Sequence, residues 1–132
     1  MAELLLTFPL DDGQARLLRG EIREWCAGQG ISQPLCEDVS LLASELFSNA
    51  VRASTRPSSI DVRVARGPDA LTVAVRNFGA GFDLASLPGP GPTRSGGRGI
   101  AIAKLLGSVT VDQIGESTTV SVVLDDTVID RG

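Results

Sequence analysis

The sequence predicts an α+β two-layer fold, in which helices cover one face of a mixed, mostly antiparallel sheet. Apolar residues recur at helical spacing in the first third of the chain, whereas apolar and polar residues alternate in later segments. A stretch rich in glycine and proline separates these segments. The predicted order is strand, two helices, hairpin, loop, short helix and hairpin. With 132 residues, we expect a single domain spanning residues 1–132.

The chain begins with a predicted strand and an amphipathic helix. The apolar run at residues 4–6 is too short for a signal peptide or a membrane span, so we interpret it as a strand. From Asp11 to about Gly30, apolar residues follow helical spacing. Asp11 or Asp12 is available to cap this helix, and Gly28 or Gly30 is available to end it.

The second helix is the most regular segment of the sequence. Ser32 is suited to cap its start, and the Arg56-Pro57 pair marks its predicted end. The apolar stripe of this helix consists of Leu35, Cys36, Val39, Leu42, Ala43, Leu46, Phe47 and Ala50. A stripe of this width is typical of a helix that packs against a core.

Two hairpins and a long loop complete the predicted fold. Apolar residues alternate from residue 60 to residue 75 around the turn residues Gly67-Pro68-Asp69. They alternate again from residue 109 to residue 124, around Gly115. We predict a loop at residues 79–99, because this segment is rich in glycine and proline, which interrupt helices and strands. We expect a short helix at residues 100–106 and a frayed tail at residues 125–132.

Composition excludes several functional classes. The net charge is -4 and the 12 lysines and arginines form no basic run, so nucleic acid is not an expected partner. The chain contains no histidine, which excludes serine–histidine triads, histidine-ligated zinc and a histidine phosphoacceptor. Cys26 and Cys36 are expected to be reduced, since no secretory segment is evident. We therefore predict a cytoplasmic protein that does not associate with membranes.

Glu45 and Asn49 are the first candidate functional residues. They are four residues apart on the second helix, so their side chains share one face at the edge of the apolar stripe. An amide oxygen can bind a hard cation, and a carboxylate can orient or deprotonate a nucleophile. Taken alone, the pair also fits two ordinary polar residues at a helix edge.

Three glycine-bearing elements follow this helix. The first, Asn77-Phe78-Gly79-Ala80-Gly81-Phe82, directly follows a predicted strand and lets the backbone approach a flat ligand. The second, Gly96-Gly97-Arg98-Gly99, precedes the short helix, whose free N–H groups favour phosphate. The third, residues 115–120, carries threonine at the start of the last strand. Each alone also fits a turn or a linker, and the chain has neither a P-loop nor a dinucleotide-binding glycine motif.

In this order and at these separations, the four elements resemble the Bergerat-fold, or histidine-kinase-like, ATPases. This class includes the ATPase domains of gyrase, heat-shock chaperones, sensor kinases and mismatch-repair proteins. Within it, the chain looks like the small serine-kinase anti-sigma factors. Phe8-Pro9, the sequence LLASELFSNAVR at residues 41–52 and the sequence GGRGIA at residues 96–101 are similar to that subfamily. The resemblance extends from Leu5 to Leu124.

The resemblance implies a site for ATP and Mg²⁺. Asn49 is implied to coordinate Mg²⁺, and Glu45 is implied to be the base that positions the attacking hydroxyl. Asn77 would face the adenine, while Gly79 and Gly81 would line the base and ribose.

The remaining implied roles concern the lid, the phosphates and the far side of the base. The loop from Asp83 to Arg98 would form the lid, and Thr118 or Thr119 would close the adenine side. The residues implied to meet the phosphates are Gly97, Arg98 and Gly99. In such kinases the acceptor is a serine of a separate anti-anti-sigma protein, and a homodimer of the kinase binds the sigma factor.

Asn77 is a departure from the family pattern, which has an acidic residue hydrogen-bonded to the adenine amino group. An amide oxygen still accepts from that amino group, while its NH₂ can donate to a ring nitrogen. Losing a charge-assisted bond costs about 1 kcal/mol, so we expect weakened ATP binding, not its loss.

The leading functional hypothesis is a protein-serine kinase that also binds a sigma factor. The alternative is a non-catalytic protein-binding module that uses nucleotide, or nothing, as a structural cofactor. A third possibility, an isolated histidine-kinase catalytic domain, is less favoured. The chain has neither a phosphoacceptor histidine nor a dimerising helical hairpin.

Overall fold

The computed structural model describes residues 2–54, 59–68, 70–78 and 107–125. The helices are α1 (Ala15–Gly28) and α2 (Gln33–Ala53), and a short 3-10 turn at Asp12–Gln14 precedes α1. The strands are β1 (Ala2–Phe8), β2 (Ile60–Arg66), β3 (Ala70–Phe78), β4 (Gly107–Ile114) and β5 (Ser117–Asp125). The predicted loop at 79–99, the predicted helix at 100–106 and tail residues 126–132 lie outside the described residues.

The five described strands form one sheet in the order β1-β2-β3-β5-β4, and each described pairing is antiparallel. Helix α2 packs on β2 and β3, and α1 packs on α2. The predicted α+β two-layer fold is thus confirmed. Alternate residues of each strand face the helices or the outer side of the sheet. The buried strand residues on the helix-facing side are Phe8, Ile60, Val62, Val64, Leu71, Val73, Val75, Asn77, Thr118, Val120, Val122 and Leu124.

Both predicted hairpins are present. Strands β2 and β3 are joined at residues 67–69, where the N–H of Gly67 donates to the carbonyl of Ala70 at 2.9 Å. Strands β4 and β5 are joined by a two-residue turn at Gly115 and Glu116. Gly115 has a φ of 60° at the first central position of this turn, which is the position where a type II′ hairpin requires glycine.

Helix α1 starts differently from the prediction. Its N-cap residue is Gln14, whose side chain makes no capping hydrogen bond. Asp11 instead accepts a hydrogen bond from the backbone N–H of Gly13 at 2.9 Å, within the preceding 3-10 turn. An aspartate readily bonds to the backbone two residues later, and here that local bond replaces the expected helix cap.

Helix α2 begins as predicted. The Ser32 hydroxyl accepts from the N–H of Leu35, and this bond satisfies one of the free donors of the first turn. The helix ends at Ala53 with Ser54 as its C-cap, and the predicted break at Arg56-Pro57 lies outside the described residues. Six consecutive residues, 42–47, are buried, because α2 contacts both α1 and the strands β2 and β3.

The outer side of the sheet carries polar and charged residues. Arg63 pairs with Glu3 of the neighbouring strand, and Arg76 pairs with Asp61 at 2.6 Å. These pairs are exposed, so they contribute little to stability. Cys26 and Cys36 are free and buried. Neither of the two described helices is both long and apolar enough to cross a membrane.

Candidate functional site

Glu45 and Asn49 lie in the second half of α2, one helical turn apart on the same face. Glu45 is buried, with 8% of its surface exposed, and Asn49 is half-buried. Carboxylates are seldom this buried in proteins unless they serve a specific interaction. Its burial therefore distinguishes Glu45 from an ordinary polar residue at a helix edge.

The two polar atoms of the Asn49 amide differ in their hydrogen bonds within the described residues. Its Oδ1 atom accepts a hydrogen bond from the guanidinium of Arg52, three residues later on α2. Its Nδ2 atom is buried and has no hydrogen-bond partner in the described part of the chain. An amide oxygen has two lone pairs, so the Arg52 bond leaves one available for a second contact.

Asn77 lies at the end of β3, on the helix-facing side of the sheet, and only 1% of its surface is exposed. Its Nδ2 atom donates to the hydroxyl oxygen of Ser54 at 3.3 Å. Its Oδ1 atom is buried and has no hydrogen-bond partner among residues 2–54, 59–68, 70–78 and 107–125. Since Ser54 caps α2, this bond joins Asn77 to the helix that carries Glu45 and Asn49.

The two candidate threonines of β5 face opposite sides of the sheet. Thr118 is directly opposite Asn77 in the register, faces the helices and is fully buried. Thr119 is opposite Arg76 of β3 and Asp112 of β4, on the outer side. Of the two predicted residues, Thr118 is therefore the one that the fold brings beside Asn77.

The glycines predicted to line the base and ribose, the predicted phosphate-binding residues and the predicted lid are outside the described residues. They comprise Gly79, Gly81, the loop from Asp83 to Arg98, Gly97, Arg98 and Gly99. Their roles stay predictions.

Two residues at the site were not selected from the sequence. Arg52 lies three residues after Asn49, and helical spacing alone would have indicated its contact. Ser54 contacts Asn77 across 23 positions, and no local pattern signals that contact. The choice of Thr118 over Thr119 had a signal in the sequence. Thr118 lies two residues before Val120 and four before Val122, so strand alternation places it on the same buried side.

The family of this chain follows from a comparison with family models. The model described as "Histidine kinase-like ATPase domain" matches residues 8–124. The chain belongs to this family. Within this histidine kinase-like ATPase domain, the match includes α2, β3 and β5, which carry the candidate residues. A comparison with curated proteins finds no match.

Solved structures share the histidine kinase-like ATPase fold. The crystal structure of the RsbU and RsbW domains of Rv1364c from Mycobacterium tuberculosis aligns with a TM-score of 0.70 and 22% identity. That alignment covers 95% of this chain but only 32% of the other. The histidine kinase domain of the blue-light-activated kinase EL346 from Erythrobacter litoralis aligns with a TM-score of 0.54 and 20% identity. It covers 92% of this chain and 65% of that one. At these identities, the two structures show a common fold.

The described side chains of this ATPase domain fit an adenine nucleotide with Mg²⁺. The Oδ1 atom of Asn77, which has no partner among the described residues, is an acceptor suited to an amino group of a base, and Asn49 offers an uncharged oxygen to a cation. The described residues contain no cluster of three or more acidic, cysteine or histidine side chains that could hold a metal alone. Mg²⁺ keeps several waters and is usually bound by one or two protein side chains together with phosphates, so a site for it does not require a cluster of protein ligands.

Proposed function

We propose that this chain binds ATP with Mg²⁺ and phosphorylates a serine of an anti-anti-sigma protein, while a homodimer of the chain binds a sigma factor. The observation that carries the proposal is the buried Oδ1 of Asn77, which has no partner within the described residues. It lies beside the helix that bears Glu45 and Asn49. Membership of the histidine kinase-like ATPase family and likeness to a structure with an RsbW domain support the proposal.

At the base end, Asn77 accepts a hydrogen bond from the adenine amino group. A buried acceptor without a partner costs about 1–3 kcal/mol, and the ligand recovers this cost when it binds. Thr118, which faces the same side of the sheet, closes the site opposite Asn77. Gly79 and Gly81 are proposed to line the base and ribose.

At the phosphate end, Glu45 accepts the proton of the attacking serine hydroxyl and orients that hydroxyl. Its buried position excludes water from the base, which favours transfer to the protein acceptor over hydrolysis. When bound, Mg²⁺ neutralises charge that develops on the phosphate oxygens. Asn49 would hold it through Oδ1, while Gly97, Arg98 and Gly99 meet the phosphates and residues 83–98 form the lid. We further propose that residues 1–132 act as one cytoplasmic domain.

Titration calorimetry tests the nucleotide site. The wild-type chain is expected to release or absorb heat with MgATP, and Asn77→Asp is expected to bind several-fold more tightly through a charge-assisted bond. Absence of heat with both proteins would exclude an ATP site.

Phosphoryl transfer from labelled ATP to anti-anti-sigma proteins encoded beside this gene tests the catalytic role of Glu45. Glu45→Gln is expected to lower the transfer rate by about 10²–10⁴-fold, because the general base is lost while the shape is kept. The affinity for ATP should stay within about threefold of wild type, a change below 1 kcal/mol.

Glu37→Gln is the matched control on the same helix. Glu37 is exposed and pairs with Arg23 of α1 at 3.5 Å. It precedes Glu45 on α2 by about two helical turns. It should transfer phosphate at the wild-type rate. Full activity of Glu45→Gln would show that Glu45 is not the base.

The alternative function, a non-catalytic binding module, is favoured by one contact. Arg52 occupies one lone pair of Asn49, the oxygen proposed for Mg²⁺. If the chain binds ATP and its protein partners but transfers no phosphate to any of them, this alternative replaces the kinase.

A further inference from the structure

The side chain of Asn77 is the end of a short chain of hydrogen bonds that starts on α2. The hydroxyl of Ser54 donates to the carbonyl oxygen of Ala50 at 2.8 Å. The same Ser54 oxygen accepts from Nδ2 of Asn77 at 3.3 Å. Both contacts are part-buried, and Asn77 itself is almost fully buried.

The direction of these bonds follows from the number of protons available. A carbonyl oxygen carries no proton, so Ala50 can only accept, and the single hydroxyl proton of Ser54 is used there. Toward Asn77, the Ser54 oxygen can therefore only accept. The amide of Asn77 must turn its NH₂ group to Ser54 and its oxygen away from Ser54.

This orientation decides what Asn77 offers a ligand. A free asparagine can rotate by half a turn and present either a donor or an acceptor. In this protein Ser54 holds the donor end, and the acceptor end is the buried atom without a partner in the described segments. An acceptor suits a purine with an amino group at position 6 and opposes a purine with a carbonyl oxygen there.

We propose that Ser54 is a positioning residue that orients the Asn77 amide and thereby makes the site prefer adenine nucleotides over 6-oxopurine nucleotides. This inference rests on the proposed ATP site. Ser54 does not touch the base; it acts through Asn77. Without the Ser54 hydroxyl, the Asn77 amide is free to rotate. It can then accept from the amino group of adenine or donate to the carbonyl oxygen of a 6-oxopurine.

The test compares ATP with ITP, which differs at position 6 and lacks the extra amino group of guanine. Calorimetry with each magnesium nucleotide is run on the full chain and on Ser54→Ala. The wild type should bind ATP about tenfold or more tightly than ITP. The 6-amino group of ATP donates to Oδ1 of Asn77, whereas the 6-carbonyl oxygen of ITP faces that acceptor without a proton to share. Ser54→Ala should bring the ratio close to one, mainly through tighter binding of ITP.

Three further variants separate positioning from folding. Ser54→Thr keeps a hydroxyl and should keep the preference for ATP. Asn77→Asp has two acceptor oxygens and presents an acceptor in either orientation. Its preference for ATP over ITP should therefore not change when Ser54→Ala is added. The Ser54 backbone N–H bond to Ala50 at 3.0 Å remains in each variant and supports the helix end.

The outcomes are distinct. If Ser54→Ala keeps the wild-type ratio of the affinities for ATP and ITP, the positioning role alone is overturned. Equal weakening of both nucleotides in Ser54→Ala would also overturn it, since that result indicates a purely structural role. Failure of the wild type to bind either nucleotide would overturn the proposed ATP site, and this inference with it.

Discussion

At the scale of single residues, the two site asparagines each keep one buried polar atom without a partner in the described part of the chain. Native proteins contain few such atoms, because each costs about 1–3 kcal/mol. Asn49 lacks a partner for its NH₂ group, whereas Asn77 lacks one for its oxygen. Both lie on elements that meet where α2 packs on β3. The two atoms therefore lie on neighbouring elements, as expected for a preformed polar site.

The two cysteines show the opposite arrangement, in which burial suppresses reactivity. Burial raises the pKa of the Cys26 thiol from its ordinary 9.0 to about 12, and the neighbouring Cys36 contributes to the rise. Burial also raises the pKa of Cys36, whose thiol donates to the carbonyl of Ile31 at 3.3 Å. The thiolate is the reactive form, so both thiols are protected in the folded protein.

This pKa predicts an alkaline loss of stability. A folded-state pKa above the unfolded value gives stability that is complete below pH 9 and is lost as the pH rises toward 12. The free energy of unfolding should therefore fall by up to about 1.4 kcal/mol per pH unit in this range. Because the chain has no tyrosine, few other groups titrate there.

Urea unfolding between pH 8 and pH 11 measures this loss. The variant Cys26→Ala should show a shallower decline than the wild type, because its buried thiol is gone. Equal slopes in the two proteins would contradict the assigned cause.

At the scale of elements, the end of α1 depends on one glycine. Gly30 has a φ of 77°, and its N–H donates to the carbonyl of Ala27. The N–H of Ile31 donates to the carbonyl of Cys26 at 3.1 Å. This pair of bonds is a Schellman motif, in which a left-handed residue ends the helix and satisfies its last carbonyl groups. Ile31 then becomes buried and turns the chain toward α2.

The same substitution at two glycines should have opposite effects. Gly30→Ala is expected to lower the free energy of unfolding by about 1 kcal/mol, because alanine is strained at positive φ. Gly20→Ala, inside α1, should raise it by about 0.5–1 kcal/mol, because alanine favours helix and, outside the adjoining helix backbone, no described atom lies within 4 Å of the added carbon. Chemical denaturation of both variants provides the measurement. If both substitutions change the free energy of unfolding in the same direction, Gly30 is not the residue that ends α1.

At the scale of the whole molecule, α2 connects the first helix with the sheet. It contacts both α1 and the strands β2 and β3. Phe47 of this helix is fully buried and packs edge-to-face on Phe8 of β1, with ring centres 5.7 Å apart. The first strand is thus held to the central helix by an aromatic contact as well as by its pairing with β2.

Removing this contact should weaken the whole fold. Phe47→Ala is expected to lower the free energy of unfolding by about 3–5 kcal/mol, through lost burial and the cavity that remains. Leu17→Ala is the control, since Leu17 is 54% exposed, and it should change stability by about 0.5 kcal/mol or less. Thermal unfolding of the two variants checks the difference. Similar melting temperatures would contradict a single core centred on α2.

The sequence alone determined the described elements and the family. Periodicity predicted both helices and both hairpins, because the pattern of burial follows the geometry of helix and strand. The ordered motifs indicated the ATPase class before the family comparison confirmed it. The same information predicted Glu45, Asn49 and Asn77, whose functional roles stay to be tested.

The tertiary structure alone decided how the amide of Asn77 is oriented. That orientation depends on Ser54, which is remote in sequence and reaches Asn77 only because α2 ends beside the last residues of β3. The start of α1 was predicted wrongly for a local reason, because the carboxylate of Asp11 bonds to the N–H of Gly13 in the preceding turn. Local patterns encode which elements form. Where the partner of a polar atom lies on another element, it depends on distances between elements, which no local pattern contains.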